Sequence, residues 1–267
     1  MKRILALHGH AQSSSVIKKK LTAITRELED EIEFVYIDAP HYVLPVDPPN
    51  ISGLGWTSEP DTFELDASCA IRAWWLDLYG MTDSHSAIES LHYMRRILEE
   101  QGPFDGIIGF SQGATLAALL TGYLEYSNIN PKFACIDHPP FSLGIFISGY
   151  IAQSPATPLP KIMRTPSLHI IGVNDVVVLP QHSKDLSRRF SQPRVEIHEG
   201  GHWIPRKPSW RRFFINYLTA WVQDVVGPSR SDTSSPTAQH YRTESEDLDD
   251  EELGDDSEGF QKLDYLF

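Results

Sequence analysis

The sequence predicts an α/β protein with a mostly parallel sheet and helices on both of its faces. Short apolar runs rich in β-formers alternate with longer segments in which apolar residues recur at helical spacing, and this alternation is typical of βαβ units. The short runs are apolar at almost every position, as in strands that are covered on both faces. Ligands of such sheets bind beyond the carboxyl ends of the strands, so candidate site residues are sought there.

Six apolar runs are predicted as strands, and in chain order they are 3–8, 32–37, 105–110, 143–148, 167–172 and 194–198. The first helix follows a cap in Ser13–Ser15, and its apolar residues are Val16, Ile17, Leu21, Ile24 and Leu28. Further helices are predicted at 84–101, 114–126, 180–190 and 208–226. The apolar face of the helix at 84–101 is predicted to contain Ile88, Leu91, Met94, Ile97 and Leu98. Residues 39–67 are rich in Pro and Gly and are predicted to form a long loop.

The chain has 267 residues and a net charge of −13, and its acidic residues are concentrated at the carboxyl end. Residues 228–267 contain twelve Asp or Glu against three Lys or Arg. Such a segment cannot bury enough apolar surface to offset the entropy lost on ordering. We therefore predict a folded domain at 1–227 and an acidic disordered tail at 228–267. The negative charge of the whole chain argues against nucleic acid as a partner.

The composition also bears on the cellular compartment. Two cysteines cannot form a disulfide framework. The first residues lack the apolar core and the cleavage site of a secretory signal. No stretch reaches the eighteen apolar residues that suggest a membrane span. We expect a cytoplasmic protein, with the nucleus as the alternative and no membrane as a partner.

Residues 109–113, Gly-Phe-Ser-Gln-Gly, match the G-x-S-x-G pattern where a predicted strand meets a predicted helix. In that context a sharp turn projects the serine above the edge of the sheet, and glycines are needed because the backbone is crowded. The pattern favours Ser111 as a catalytic nucleophile over a serine that only caps a helix.

A serine hydroxyl is a poor nucleophile at neutral pH and needs an adjacent base. In the α/β-hydrolase arrangement an acid and then a histidine follow the serine in chain order. His202 follows the last predicted strand in a loop with two glycines, and Asp175 follows the strand before it. Asp175 is therefore predicted to orient His202, and His202 to activate Ser111. The weaker alternatives are His198 as the base and Asp185 or Glu199 as the acid.

Acyl transfer develops an oxyanion, which backbone N–H groups stabilise. The predicted donors are the N–H of Gln112, directly after the nucleophile, and the N–H of His10, in the loop after the first strand. His8 and His10 also match the start of a metal-binding pattern, but Gln12 stands where that pattern needs its acid. We therefore expect neither a metal nor an organic cofactor.

Apolar side chains near these residues predict a pocket for an acyl group, because small-molecule sites are mostly apolar with few polar groups. Two adjacent tryptophans are part of it, although a tryptophan pair is also typical of core packing. The predicted pocket residues are Trp74, Trp75, Phe110, Tyr150, Trp203 and Ile204.

The chain is similar to one family in several motifs that occur in a fixed order along the sequence. These motifs are His8–Gln12, Tyr36–Pro40, Arg72–Trp75, Gly109–Gly113, Ile147–Tyr150 and Gly201–His202. They resemble the serine hydrolase family that includes the ovarian tumour suppressor candidate 2 hydrolase and many fungal relatives, over residues 1–226. The resemblance implies an α/β-hydrolase fold with little or no lid domain and a triad of Ser111, Asp175 and His202. His10 departs from the family, in which an aromatic or small residue is more familiar at that position.

The resemblance also implies an activity, since members of the family are esterases and thioesterases of acyl substrates. A small-molecule ester or thioester is therefore the expected substrate. Fungal members in polyketide gene clusters release the product from the synthase by thioester hydrolysis, which makes an acyl-carrier domain the alternative partner. A further alternative is an inactive hydrolase fold that serves as a binding module, with the acidic tail as its docking segment.

Overall fold

The computed structural model describes residues 1–43, 71–78, 81–223 and 234–237, with backbone only for residues 77, 78 and 81. The strands are β1 (Lys2–Leu7), β2 (Ile32–Ile37), β3 (His41–Tyr42), β4 (Arg72–Ala73), β5 (Asp77–Leu78), β6 (Met81–Thr82), β7 (Gly106–Phe110), β8 (Leu143–Ile147), β9 (Ser167–Gly172) and β10 (Pro193–His198). The α-helices are α1 (Ser14–Thr25), α2 (Ser84–Gln101), α3 (Gln112–Glu125), α4 (Pro180–Ser187) and α5 (Pro208–Val222).

Six strands form one parallel sheet in the order β10-β9-β8-β7-β1-β2. The pairs β3–β4 and β5–β6 form short antiparallel ladders. The chain places β2 on one side of β1 and β7 on the other, with Leu7 opposite Gly109. The direction in which the chain adds strands therefore reverses at β1. Sheets of this kind bind ligands in the crevice beyond the carboxyl ends of the strands at such a point, here β1 and β7. The predicted α/β class and mostly parallel sheet are confirmed.

Alternate side chains of β1 point to opposite faces of the sheet and divide the core into two layers. Leu5 and Leu7 belong to the apolar cluster that contains residues of α2 and α3. Ile4 and Ala6 belong to the cluster that contains residues of α1 and α5. All residues of β7, β8 and β9 are buried, as expected for strands with a helical layer on each side.

The helices differ from the predictions mainly at their ends. The helix α3 begins at Gln112, two residues earlier than predicted, whereas α4 and α5 end earlier, at Ser187 and Val222. The amino end of α1 is capped over a long range, because the N–H of Ser14 donates to Asp38 Oδ1 at 2.7 Å. The helix therefore begins where the cap was predicted, but the side chain that accepts from its first N–H group belongs to Asp38 and not to a serine of Ser13–Ser15.

One residue of the predicted apolar face of α2 is wrong. Ile88 is 38% exposed, whereas the preceding Ala87 is buried together with Leu91, Met94 and Leu98. The buried apolar residues therefore begin one position earlier, at Ala87, and continue at the spacing of three and four residues that one face of a helix requires.

The predicted loop at 39–67 lies largely outside the described residues, and so does most of the predicted tail. Within the tail the structure describes residues 234–237, and Ser235 among them contacts the outer strand of the sheet. Ser235 Oγ donates to Glu196 Oε2 at 2.6 Å, and Glu196 also pairs with Arg194 on the same face of β10 at 2.8 Å. The boundary at 227 and the disorder of the tail remain predictions. No helix among the described residues is both long and apolar enough to cross a membrane.

Two buried histidines make stability depend on pH. Burial lowers the pKa of His8 to about 4 and the pKa of His169 to about 3. Both values lie below the pKa of about 6.5 that histidine has in an unfolded chain. As the pH falls, the unfolded state therefore binds protons first. Their contribution is complete above about pH 6.5 and is lost as the pH falls, by about 3 kcal/mol for each histidine at about pH 4.

We expect the melting temperature to fall steeply between about pH 6.5 and about pH 4. The check is thermal unfolding followed by circular dichroism across this range for the wild type and for His169→Leu. Leucine suits this position because the His169 ring lies 5.0 Å from the ring of Phe146 and 4.9 Å from the ring of Phe190. The variant is expected to show a shallower pH dependence, and an unchanged slope would contradict the assignment to His169.

Candidate active site

Ser111 occupies the turn between β7 and α3. Its backbone has φ 54° and ψ −122°, a conformation that non-glycine residues rarely adopt. Its N–H donates to the carbonyl of Ile147 at 2.8 Å. The turn is tight because α3 starts against the end of β1, where a Cβ on Gly113 would lie 2.3 Å from the oxygen of His8. Glycine at 113 permits this approach, and the strained turn places Ser111 at the carboxyl edge of the sheet.

His202 lies between Ser111 and Asp175, although they are distant in sequence. His202 Nε2 is 3.0 Å from Ser111 Oγ, and His202 Nδ1 is 2.8 Å from Asp175 Oδ2. A carboxylate only accepts hydrogen bonds, so Nδ1 carries the proton of the neutral ring and Nε2 accepts from the serine hydroxyl. The ring of Phe110 lies 4.9 Å from the imidazole, between centroids, and packs beside it. The structure brings the three predicted residues into one hydrogen-bonded row.

Asp175 is held in place by the loop that follows β9. Its Oδ1 accepts from the N–H groups of Val177 at 3.0 Å and Val178 at 2.8 Å. Its Oδ2 accepts from Ser148 Oγ at 3.0 Å in addition to His202. Burial alone would raise the pKa of Asp175, but its interaction with His202 and its hydrogen bonds from Val178 and Ser148 together lower that pKa below its usual value. The carboxylate is therefore ionised and can stabilise a positive charge on His202.

The loops after β9 and β10 are joined to each other by backbone contacts. The N–H of Val173 donates to the oxygen of His198 at 2.8 Å, and the N–H of Asn174 donates to the oxygen of Gly200 at 3.0 Å. A Cβ on Gly172 would lie 2.4 Å from the oxygen of Gly201, so only glycine fits there. The close approach of the loops brings Asp175 to the imidazole of His202.

The competing candidates have other partners. His198 remains at the end of β10, where its Nδ1 accepts from the N–H of Gly200 at 3.2 Å. Asp185 pairs with Arg188 on the surface of α4 at 2.6 Å. The side chain of Glu199 is 75% exposed and lies 4.0 Å from Lys207 Nζ. In these contacts His198, Asp185 and Glu199 bond other residues than Ser111 and His202.

The two predicted oxyanion donors come from adjacent loops. Gln112 is the first residue of α3, so its N–H has no acceptor within the helix. His10 lies in the turn after β1, and Ala11 next to it has a positive φ of 53°. Since β1 and β7 are neighbours, both donors belong to the crevice at the carboxyl edge of the sheet. Their role in binding an oxyanion remains a prediction.

Among the described residues no group of three or more His, Cys, Asp or Glu is arranged to hold a metal ion. His8 is engaged through both ring nitrogens. Its Nε2 accepts from the N–H of Ala39 at 3.0 Å, and its Nδ1 lies 2.7 Å from the oxygen of Gly9. This buried histidine is therefore part of the loop structure beside the site.

The predicted pocket is corrected for most of its residues. Four of the six expose 2% or less of their surface, and these are Trp74, Trp75, Phe110 and Ile204. A side chain without exposed surface does not line an open pocket, so these four pack in the core. Tyr150 is half-buried and Trp203 is 47% exposed, and these two remain candidates for contact with a substrate.

Sequence reasoning gave no role to Ser148, which donates a hydrogen bond to Asp175. The residue follows β8 directly and has a positive φ of 50°, so it lies at the same edge as Ser111. Its position directly after a predicted strand is a signal that could have identified it. Its partner could not be predicted, because the contact between the hydroxyl and the Asp175 carboxylate joins residues 27 positions apart.

Comparison with known proteins places the chain among serine hydrolases. Residues 1–214 match the family model described as "Serine hydrolase (FSH1)". Esterase OVCA2 of Mus musculus is 31% identical over 231 residues, which are 83% of this chain and 97% of the relative. Esterase OVCA2 of Danio rerio is 29% identical over 238 residues, which are 81% of this chain and 96% of the relative.

Solved structures agree with the fold. Acyl-protein thioesterase 2 of Zea mays superimposes with a TM-score of 0.50 at 21% sequence identity, over 83% of this chain and 94% of that chain. The predicted α/β-hydrolase fold is thereby confirmed, and the esterase relatives confirm the predicted enzyme class, a carboxylic ester hydrolase. The match to the family model covers most of the chain, and the chain belongs to the serine hydrolase (FSH1) family.

Proposed function

We propose that the protein hydrolyses carboxylic esters or thioesters of small acyl substrates through a triad of Ser111, His202 and Asp175. The observation that carries the proposal is the hydrogen-bonded row, with 3.0 Å from Ser111 Oγ to His202 Nε2 and 2.8 Å from His202 Nδ1 to Asp175 Oδ2. Both distances are within the range that general-base activation of a nucleophile requires.

In the first half-reaction Ser111 Oγ attacks the substrate carbonyl while His202 Nε2 takes the hydroxyl proton. The imidazolium that forms is stabilised by the ionised Asp175, which keeps its own negative charge. His202 then gives the proton to the leaving alcohol or thiol, and the acyl group remains on Ser111. In the second half-reaction water loses a proton to His202 and attacks the acyl-enzyme. His202 returns that proton to Ser111 Oγ as the bond to the acyl group breaks, which releases the acid and restores the hydroxyl.

Each half-reaction develops a negative oxygen on the former carbonyl. We assign its stabilisation to the backbone N–H groups of His10 and Gln112, which belong to adjacent loops at the crevice. Removal of one such donor in serine hydrolases typically costs about 10²- to 10³-fold in kcat. Both donors are backbone groups, so their positions depend on how firmly the two loops are held.

The substrate class can be tested by comparing leaving groups on one acyl chain. The wild type is incubated with a p-nitrophenyl ester, an N-acetylcysteamine thioester and an acyl-carrier-bound thioester of the same acyl group. Turnover of the free ester or the free thioester supports the proposal. A strong preference for the carrier-bound chain would instead favour the polyketide-releasing role and make an acyl-carrier domain the partner. Failure to hydrolyse any of them would contradict the proposed function.

A further inference from the structure

The two predicted oxyanion donors are joined by a chain of buried hydrogen bonds that passes through Trp74. On one side, the N–H of Trp74 donates to Gln112 Oε1 at 2.8 Å, and Gln112 Nε2 donates to the oxygen of Trp75 at 2.9 Å. The side chain of Gln112 therefore holds the backbone of both tryptophans. On the other side, the indole Nε1 of Trp74 donates to the oxygen of His8 at 2.8 Å.

The series of hydrogen bonds continues from His8 to the peptide group that contains the second donor, the N–H of His10. Because the N–H of Ala39 donates to His8 Nε2, the proton of the neutral ring is on Nδ1, which donates to the oxygen of Gly9 at 2.7 Å. Burial lowers the pKa of His8 to about 4 and keeps the ring neutral near pH 7. The oxygen of Gly9 and the N–H of His10 belong to one planar peptide group and point in opposite directions. A bond that fixes the carbonyl of Gly9 therefore also fixes the direction of the His10 N–H.

We propose that Trp74 and His8 are positioning residues of the oxyanion hole, and that they hold the N–H groups of Gln112 and His10 at a fixed separation. This inference rests on the proposed function, because it assumes that these two groups bind the oxyanion. Trp74 and His8 are fully buried, and their rings lie 5.2 Å apart between centroids. Neither residue needs to touch the substrate for this role.

The segment that contains Trp74 is also anchored on the loop after β1. The N–H of Arg72 donates to the oxygen of Gln12 at 2.8 Å. Residues 72–75 thus bind the first donor loop at one end and the side chain of Gln112 at the other. The buried tryptophan pair, which was predicted as a pocket wall, has a different role in this arrangement.

The test removes the indole N–H while it keeps an aromatic ring. For Trp74→Phe we expect kcat for a p-nitrophenyl ester to fall by about tenfold while KM changes by less than about twofold, because the lost interaction acts in the transition state. The affinity for a trifluoromethyl ketone, which forms a tetrahedral adduct with the serine, is expected to weaken by about the same factor as kcat/KM. Trp221→Phe is the matched control, since Trp221 Nε1 donates to Ser142 Oγ at 3.2 Å and its ring packs near Gly106 at the start of β7.

A pair of His8 variants keeps the inference testable if Trp74→Phe does not fold. In His8→Asn the amide nitrogen can replace Nδ1 and still bind the oxygen of Gly9. In His8→Gln the amide of the longer side chain takes the position of Nε2, where it can accept from the N–H of Ala39 but no longer binds the oxygen of Gly9. We expect His8→Asn to retain a higher kcat than His8→Gln at comparable thermal stability.

The outcomes separate this inference from the proposed function. If the wild type hydrolyses the ester and the ketone binds Trp74→Phe as tightly as the wild type, the positioning role is wrong and the triad stands. Equal kcat in the two His8 variants would contradict the role of His8. If the wild type neither hydrolyses the ester nor binds the ketone, the proposed function fails and this inference fails with it.

Discussion

Replacing Ser111 with alanine is expected to lower kcat for ester hydrolysis by about 10⁴- to 10⁶-fold, with little change in KM. The hydroxyl is the only group that the proposed mechanism uses to form the acyl-enzyme. Without it, the oxyanion donors and substrate binding leave only a small residual rate. The measurement is steady-state hydrolysis of a p-nitrophenyl ester, together with the melting temperature of the variant.

The fold of Ser111→Ala is expected to persist, because alanine keeps the backbone contacts of the turn, including the N–H that donates to Ile147. Ser183→Ala is a suitable control, since Ser183 is a buried serine of α4 without a role in the mechanism. Activity in Ser111→Ala within about tenfold of the wild type would show that another residue is the nucleophile.

Replacing Asp175 with asparagine is expected to lower kcat by about 10⁴-fold, a magnitude known from serine proteases. Oδ1 of Asp175 accepts from two backbone N–H groups, which an amide NH₂ cannot do. The amide oxygen of asparagine therefore takes that position, and its NH₂ faces His202 Nδ1. The imidazole must then carry its proton on Nε2, where it can no longer accept the proton of Ser111.

The check on Asp175→Asn is kcat at about pH 7 with Asp185→Asn as the control, because the contacts of Asp185 with Arg188 and Gln181 lie on the exposed surface of α4, away from the site. We expect the control to retain nearly full activity. A loss of less than about tenfold in Asp175→Asn would mean that Asp175 does not set the tautomer of His202.

The strands and the hydrogen-bonded row of Ser111, His202 and Asp175 could be predicted from the sequence because each depends on a local pattern. A strand that is buried on both faces reads as an apolar run, and Ser111, Asp175 and His202 each directly follow such a run or lie in the loop after it. Their order along the chain, serine, acid and then histidine, and the glycines near Ser111 and His202 then distinguished these residues from other candidates. Because β7, β8, β9 and β10 are parallel neighbours in one sheet, the loops after them lie at the same edge.

The residues that were missed or wrong depend on contacts between distant segments. Asp38 caps α1, and Ser148 supports Asp175, through single hydrogen bonds that leave no periodic pattern in the sequence. Trp74 and Trp75 were predicted in a pocket because hydrophobicity does not distinguish a core residue from a pocket residue. Both pack in the apolar cluster that contains residues of α2 and α3, and the side chain of Gln112 holds their backbone across 37 and 38 residues of sequence.

The central claim, that Ser111 is an activated nucleophile, is tested most directly by intact-mass analysis after treatment with a fluorophosphonate probe. The probe reacts with a serine whose hydroxyl is activated by a neighbouring base, which is the role given to His202. The account predicts a single adduct on the wild type, located on Ser111 and absent from Ser111→Ala. The absence of an adduct on folded wild-type protein, or an adduct that persists in Ser111→Ala, would contradict the account.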